Sequence, residues 1–504
     1  MKGVVAAGDK LTAQAGAEIL KNGGNAFDAA IASILTAHLT EPALTSLGGG
    51  GFLLAYEKWT EPILYDFFVD VPPKRIDNPD FYPIYVDFGD TVQEFHIGAG
   101  SIAIPGMVAG IFRVHQEKGK LPLKDIIKPA VNLARNGFYF SKMQASFIKL
   151  LEPIFTSTKE SKELYQKNGK LVDENILFKN EEYAKFLEQF AEEGVLFFYE
   201  GEIADKIEKL SIENNGLIRK KDLQRYTVVE RKPIDFKFKE FEVLTNPPPS
   251  SGGILIAFTL ELLDVCEFCE FGTKKHLKNL IESLNITADF RKKYINENLH
   301  KEGLEKILEN KELINFYKNE FQKRLNLWGN TTHISVIDED GNAASVTTTN
   351  GEGSGYIIPE TGIMLNNMLG EEDLNPHGFF SWDPYIRLPS MMSPTIVLKD
   401  KEPHLILGSA GSNRIRSAII QTILNYSIFG MDIDNAVNSS RIHFENNTVF
   451  IEPGYSENVI KQIEDLYEVV VFKEKSLFFG GVQAVTGDFK GAGDNRRGGY
   501  VIYV

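Results

Sequence analysis

Around residue 330 the chain changes character, and no other feature constrains its fold as much. A Lys- and Glu-rich helical pattern runs from Lys274 to Arg324 and ends at Leu325-Asn326-Leu327-Trp328-Gly329-Asn330. Beyond Asn330, the segment Thr332-His333-Ile334-Ser335-Val336-Ile337 alternates with the period of two that a strand requires. A turn follows at Asp338-Glu339-Asp340-Gly341-Asn342, and a second strand pattern runs from Ala343 to Thr349. The spacing predicts a β-hairpin whose first strand starts at Thr331.

The remaining elements group around that hairpin. From Leu11 to Thr40, small and apolar residues recur with helical spacing, interrupted by Asn22-Gly23-Gly24-Asn25, which closes one helix and caps the next. Gly48 to Gly51 lead into a strand pattern at Phe52-Leu53-Leu54-Ala55-Tyr56, where glycines let the backbone pass close to a neighbour. A charged, helical region spans Leu121 to Leu217. The turn cluster Thr245 to Gly253 then precedes an apolar helix from Ile254 to Leu263. Strand patterns at Thr395–Leu398 and His404–Gly408 are followed by a glycine-rich turn to Gly411 and a helix from about Ile415. Central strands with long helices outside them predict a layered α+β sandwich.

Composition excludes several classes. With a net charge of -15 the chain lacks the clustered Lys and Arg that phosphate recognition needs, so no nucleic acid is expected as a partner. The two cysteines, Cys266 and Cys269, form one CxxC, too few thiolates for a structural zinc site. The nine histidines show no ligand spacing and neither HExxH nor GxGxxG occurs, so neither a metal nor an organic cofactor is expected. A P-loop is excluded because no Gly-Lys-Ser/Thr follows the Gly48–Gly51 run. No uncharged stretch is long enough to span a membrane, the N-terminal apolar run is too short for a signal peptide, and no disulfide framework exists. The expectation is therefore a cytoplasmic protein without a membrane partner.

A threonine hydroxyl is a poor nucleophile. At a chain terminus, however, threonine also owns an α-amine of pKa about 7.7–8.0 that can take the hydroxyl proton near neutral pH. One residue then supplies both nucleophile and base, once a precursor has cut the peptide bond before it. In isolation, the threonines at 331–332 and 347–349 express only β propensity. Wider similarity changes their weight. Thr331-Thr332-His333-Ile334-Ser335-Val336 with Asp340-Gly341-Asn342-Ala343 resembles the opening of the small subunit of gamma-glutamyltransferases. Further matches run along nearly the whole chain: Leu20 to Ala30, Leu47 to Phe52, Ile104 to Gly110, Asn246 to Gly253, Leu365-Asn366-Asn367, Ser393-Pro394-Thr395 and Gly491 to Arg497.

The resemblance implies a four-layer αββα Ntn-hydrolase sandwich that cuts itself between Asn330 and Thr331. Residues 1–330 and 331–504 would then be large and small segments that stay associated as one unit. It implies Thr331 as nucleophile, Thr349 as a hydrogen-bond partner of its hydroxyl, and the backbone N–H groups of Gly411 and Ser412 as an oxyanion hole, Ser412 standing where the family has a second glycine. His333 is expected to be a packed strand residue, because the α-amine already serves as base.

The glutamate-binding positions depart from the family. Phe68 occupies the position of the arginine that holds the α-carboxylate, and a phenyl ring makes no bidentate pair. Met368 replaces a glutamine, Glu371 an aspartate that meets the α-amine, and Met391 the second of two serines, leaving Ser390. Asn350 stands for the family asparagine. The segment between Glu371 and Ser390 is shorter than the family lid, which implies a more open pocket. The leading expectation is a self-processing threonine amidohydrolase or acyltransferase acting on a small γ-glutamyl or other acyl amide. True glutathione hydrolase or transpeptidase activity, with Lys74 or Arg75 replacing the missing arginine, is the alternative. An unprocessed, non-catalytic binding protein is the third. Further oligomerisation is left open.

Overall fold

The computed structural model describes residues 1–87, 92–268, 270–311, 313–314, 317, 331–375, 377–445 and 448–504. Its centre is a seven-stranded antiparallel sheet. In spatial order its strands are Tyr500–Tyr503, Gly3–Ala7, Thr332–Asp338, Ala343–Thr349, Gly50–Tyr56, Ile63–Phe67 and Val229–Arg231. A second antiparallel sheet, ordered Gly491–Gly493, Gly481–Thr486, Glu402–Ala410, Thr395–Lys399, Phe241–Thr245 and Ile234–Phe238, packs against it. Helices Lys10–Lys21 and Ala26–Thr40 cover the outer face of the first sheet. Helices Ser251–Asp264 and Arg414–Ile423 cover the second. The result is the expected four-layer αββα sandwich, and strands from both sides of residue 330 interleave in each sheet.

Local chemistry sets this arrangement. Asn25 caps the second helix by accepting the N–H groups of Phe27 and Asp28, while Asp28 accepts that of Asn25. The hairpin turn is closed by Asp338, whose carboxylate accepts the N–H groups of Asp340 and Asn342 at 3.0 Å each. The same carboxylate accepts the Ala26 N–H at 2.9 Å, tying the turn to a helix N-terminus. The hairpin pairs Thr332 with Thr348 and Ile337 with Ala343. Its first strand begins at Thr332, one residue later than the spacing predicts, so Thr331 lies just outside the ladder. Asn330 lies outside the described residues, as does Cys269.

The Gly48–Gly51 run passes close to backbone on both sides. A Cβ at Gly49 would lie 2.2 Å from the Thr349 carbonyl oxygen, and one at Gly48 would lie 2.2 Å from that of Met364. These glycines let the strand Gly50–Tyr56 lie beside the hairpin where Thr349 ends.

Between the sheets the hairpin presents a polar seam. His333 bonds Thr347 Oγ1 through Nδ1 at 2.8 Å and Ser335 Oγ through Nε2 at 2.9 Å. Burial holds its imidazole down at about 3, so it is neutral and structural, as expected. Among the described residues, no helix is long and apolar enough to cross a membrane.

Candidate active site

A narrow cleft with about 30 Å³ of accessible space lies where the hairpin's open end meets the second sheet. It is lined by Phe68, Thr331, Thr349, Glu371, Asp373, Leu374, Ser390, Met391, Met392, Ser412 and Ile415. Seven side chains singled out from sequence, Phe68, Thr331, Thr349, Glu371, Ser390, Met391 and Ser412, thus meet in one place. Continuing the hairpin register by one step sets Thr331 opposite Thr349. The Thr349 hydroxyl accepts the N–H of Gly351 at 3.0 Å. Gly411 is not itself a lining residue; it precedes Ser412 at the exit from the strand Glu402–Ala410.

Both residues of that exit have left-handed backbone, Gly411 with φ 115° and Ser412 with φ 47°. Serine keeps a conformation that suits glycine, at a cost of about 1–2 kcal/mol. The offset is a charge-assisted hydrogen bond from the Ser412 hydroxyl to the Asp373 carboxylate. Burial raises Asp373 to about 6, against the pull of Ser412, Arg291 and Arg414. Asp373 was not singled out from sequence, since nothing local distinguishes it from its neighbour Glu372.

The turn after Thr349 is held by Asn367. Its Oδ1 accepts the N–H groups of Glu352 at 2.9 Å and Gly353 at 3.1 Å, and its Nδ2 donates to the Glu352 carboxylate at 3.2 Å. At Gly351, with φ 64°, a Cβ would lie 2.4 Å from Glu371 Oε1, so the glycine makes room for that carboxylate. Burial pushes Glu352 up to about 7 and Glu371 well above the usual carboxylate range, each carboxylate disfavouring charge on the cluster. Glu352 was also missed, although an acid between two glycines directly after a predicted strand was a usable signal. Asn350 is buried beside it but is not a lining residue; among the described residues its side-chain amide has no partner.

Phe68 is the residue that the resemblance sets at the family's carboxylate-binding position. Phe68 is fully buried and stacks on Phe52 with centroids 5.4 Å apart. Met368 lies in the core, and Met391 accepts the Ser251 hydroxyl on sulfur at 3.0 Å. Lys74 and Arg75 are exposed and do not line the cleft; Arg75 donates to the carbonyls of Pro72 and Trp382, at 2.8 Å each. The segment after Glu371, expected to leave a more open pocket, is held by local contacts. Trp382 Nε1 binds the Leu374 carbonyl at 2.9 Å, Phe379 and Phe380 pack on Phe81, and Thr331 is only 4% exposed. Among the described residues, no group of three or more His, Cys, Asp and Glu could hold a metal ion.

A four-layer αββα sandwich that presents a threonine at the head of a central strand, inside a cleft rather than on the surface, belongs to the self-processing N-terminal-nucleophile amidohydrolases. Its place within that class is narrower. The gamma-glutamyltranspeptidase family model matches residues 12–504, and the chain belongs to that family. It is 31% identical to the glutathione hydrolase proenzyme of Escherichia coli (strain K12), across 98% of this chain and 90% of that protein. It is 30% identical to the capsule biosynthesis protein CapD proenzyme of Bacillus anthracis, across 98% of this chain and 89% of that one. Among solved structures, the cephalosporin acylase from Bacillus halodurans shares the fold at a TM-score of 0.87 with 22% identity, covering 99% of this chain and 95% of that one.

Proposed function

We propose that the chain frees Thr331 by cutting the Asn330–Thr331 bond and then uses it to cleave a small acyl amide. The Thr331 hydroxyl, giving its proton to the new α-amine, attacks the substrate carbonyl. The backbone at Gly411–Ser412 holds the developing oxyanion, the amine leaves, and water or a second amine releases the acyl group from Thr331. The observation that carries this reading is the meeting of Thr331, Thr349 and Ser412 in one cleft. Interleaved strands from both sides of residue 330 support continued association of the two segments after the cut.

Relatives named as glutathione hydrolase and as capsule biosynthesis protein are about equally similar to this chain, so similarity alone does not choose a substrate. The cleft favours an acyl group that carries an amine and does not depend on a carboxylate. Glu371 and Asp373 line it, and among the described residues no Lys, Arg or His does. A glutathione-directed enzyme relying on Lys74 or Arg75 is supported less well, since neither reaches the cleft.

Intact mass under denaturing conditions tests the first half. Wild type splitting into residues 1–330 and 331–504, with Thr331→Ala staying whole, is the expected result; a wild type that stays whole after long incubation favours a binding protein instead. A donor panel tests the second. γ-Glutamyl amides and their decarboxylated counterparts should be cleaved at rates within about tenfold, and a hundredfold preference for the carboxylate would refute this specificity.

A further inference from the structure

Behind Thr331, on the opposite face of its sheet, a carboxylate is buried with no cation paired to it among the described residues. Glu41 follows the helix Ala26–Thr40 and is fully buried. Its Oε2 accepts the Thr332 hydroxyl at 2.6 Å and its Oε1 the Thr12 hydroxyl at 2.8 Å, while Thr12 and Thr40 share a hydrogen bond of 2.8 Å. Room for the carboxylate exists because residue 8 is glycine; a Cβ there would lie 2.4 Å from Glu41 Oε2 and 2.8 Å from Thr332 Oγ1. The charged group facing Glu41 is Asp9, at the N-terminus of the helix Lys10–Lys21; the two helices packed against it contribute only the hydroxyls of Thr12 and Thr40. Among the described residues, no Lys, Arg or His forms an ion pair with Glu41.

An uncompensated buried carboxylate is a cost to the fold. Its position gives it a use. The Thr332 side chain and one peptide unit separate Glu41 from the Thr331 nitrogen, and standard bond lengths bound that separation to roughly 5–9 Å. We propose that Glu41 is a positioning residue for Thr331, holding the start of the nucleophile's strand through Thr332 and favouring the protonated form of the Thr331 α-amine by its charge. This rests on the reading of Thr331 as an N-terminal nucleophile. Burial and Asp9 raise Glu41 to about 7, so its charge switches in the range where that amine must lose its proton to act as base. At such a distance, a unit charge in a protein interior moves a neighbouring amine by about one pH unit.

The probe is potassium cyanate, which carbamylates only neutral amines. Its rate of reaction with the Thr331 α-amine of processed protein is followed against pH by peptide mapping. Glu41→Gln keeps the size and removes the charge, so its half-labelling pH should fall about one unit below that of wild type. An unchanged midpoint in processed Glu41→Gln overturns the proposal. If that variant does not fold or split, Thr12→Val carries the test. Losing one donor keeps Glu41 neutral to higher pH, and the midpoint should again move down; no movement overturns the proposal. Wild type that never yields an N-terminal Thr331 would instead defeat the underlying nucleophile reading, a distinct result.

Discussion

Gly408→Ala should be among the most damaging single-methyl additions in this protein, and its effect should vanish when His333 is removed. A Cβ at residue 408 would lie 2.3 Å from Cε1 and 2.4 Å from Nδ1 of His333, far inside van der Waals contact. The ring cannot withdraw freely, because Thr347 and Ser335 hold its two nitrogens and Ser335 in turn donates to the Gln483 carbonyl at 3.1 Å. Overpacking costs about 1–3 kcal/mol, and two surrendered buried hydrogen bonds add about 1 kcal/mol each, so the expected loss is ~3–5 kcal/mol. His333→Ala alone should cost about 2–4 kcal/mol through its cavity and the unpaired hydroxyls. In the double variant the new methyl enters vacated space, so the total should fall short of the sum by ~2 kcal/mol or more. Urea midpoints in a Thr331→Ala background, which keeps one covalent chain, complete the cycle. Additivity within about 0.5 kcal/mol would refute the contact argument. Because His333 is two residues from Thr331 and Gly408 is three from Gly411, Gly408→Ala in the processing-competent chain should also slow self-cleavage.

Asp373→Asn should separate stability from activity. The folded carboxyl titrates near 6, above its ordinary value, so it favours the fold at low pH and loses that contribution as pH rises through 6. Removing the charge should therefore leave stability at pH 4 little changed and raise it at pH 8 by up to ~3 kcal/mol, less about 1 for the weakened Ser412 bond. Turnover should fall at least tenfold as the strained Ser412 loses its charged acceptor; a stability difference independent of pH would contradict the assignment. Arg387→Met should cost about 3–5 kcal/mol at pH 7, because Arg387 Nη1 pairs with Asp66 at 2.7 Å and Nε with Asp70 at 2.6 Å in a buried site beside Phe68. Arg387 and Arg231 outweigh burial to hold Asp66 below its ordinary range. The deficit should shrink below pH 5, where the orphaned carboxyls protonate, and urea midpoints at pH 7 and 4.5 would show it.

Much of the framework was legible because it is written in local periods and local caps. The hairpin from Thr332 to Thr349, the helix break at Asn22–Asn25 and the strand after Gly48–Gly51 each depend on neighbours a few residues away. Phe68, Glu371 and Ser390 could be placed at one site only through resemblance, and the structure brings them together. What stayed hidden depends on distance in the chain. Glu41 meets Thr332 across 291 residues, Ser412 meets Asp373 across 39, and Arg387 meets Asp66 across 321.

By itself, then, the sequence determined which segments form strands and helices and that a threonine heads the central hairpin, while Phe68 at the family's arginine position followed only from resemblance. Tertiary structure alone decided which acids gather behind and beside that threonine, and that Lys74 and Arg75 stay outside the cleft. The physical reason is that periodicity encodes which face a side chain takes, whereas ionisation depends on which distant groups share that face and how far water is excluded from it.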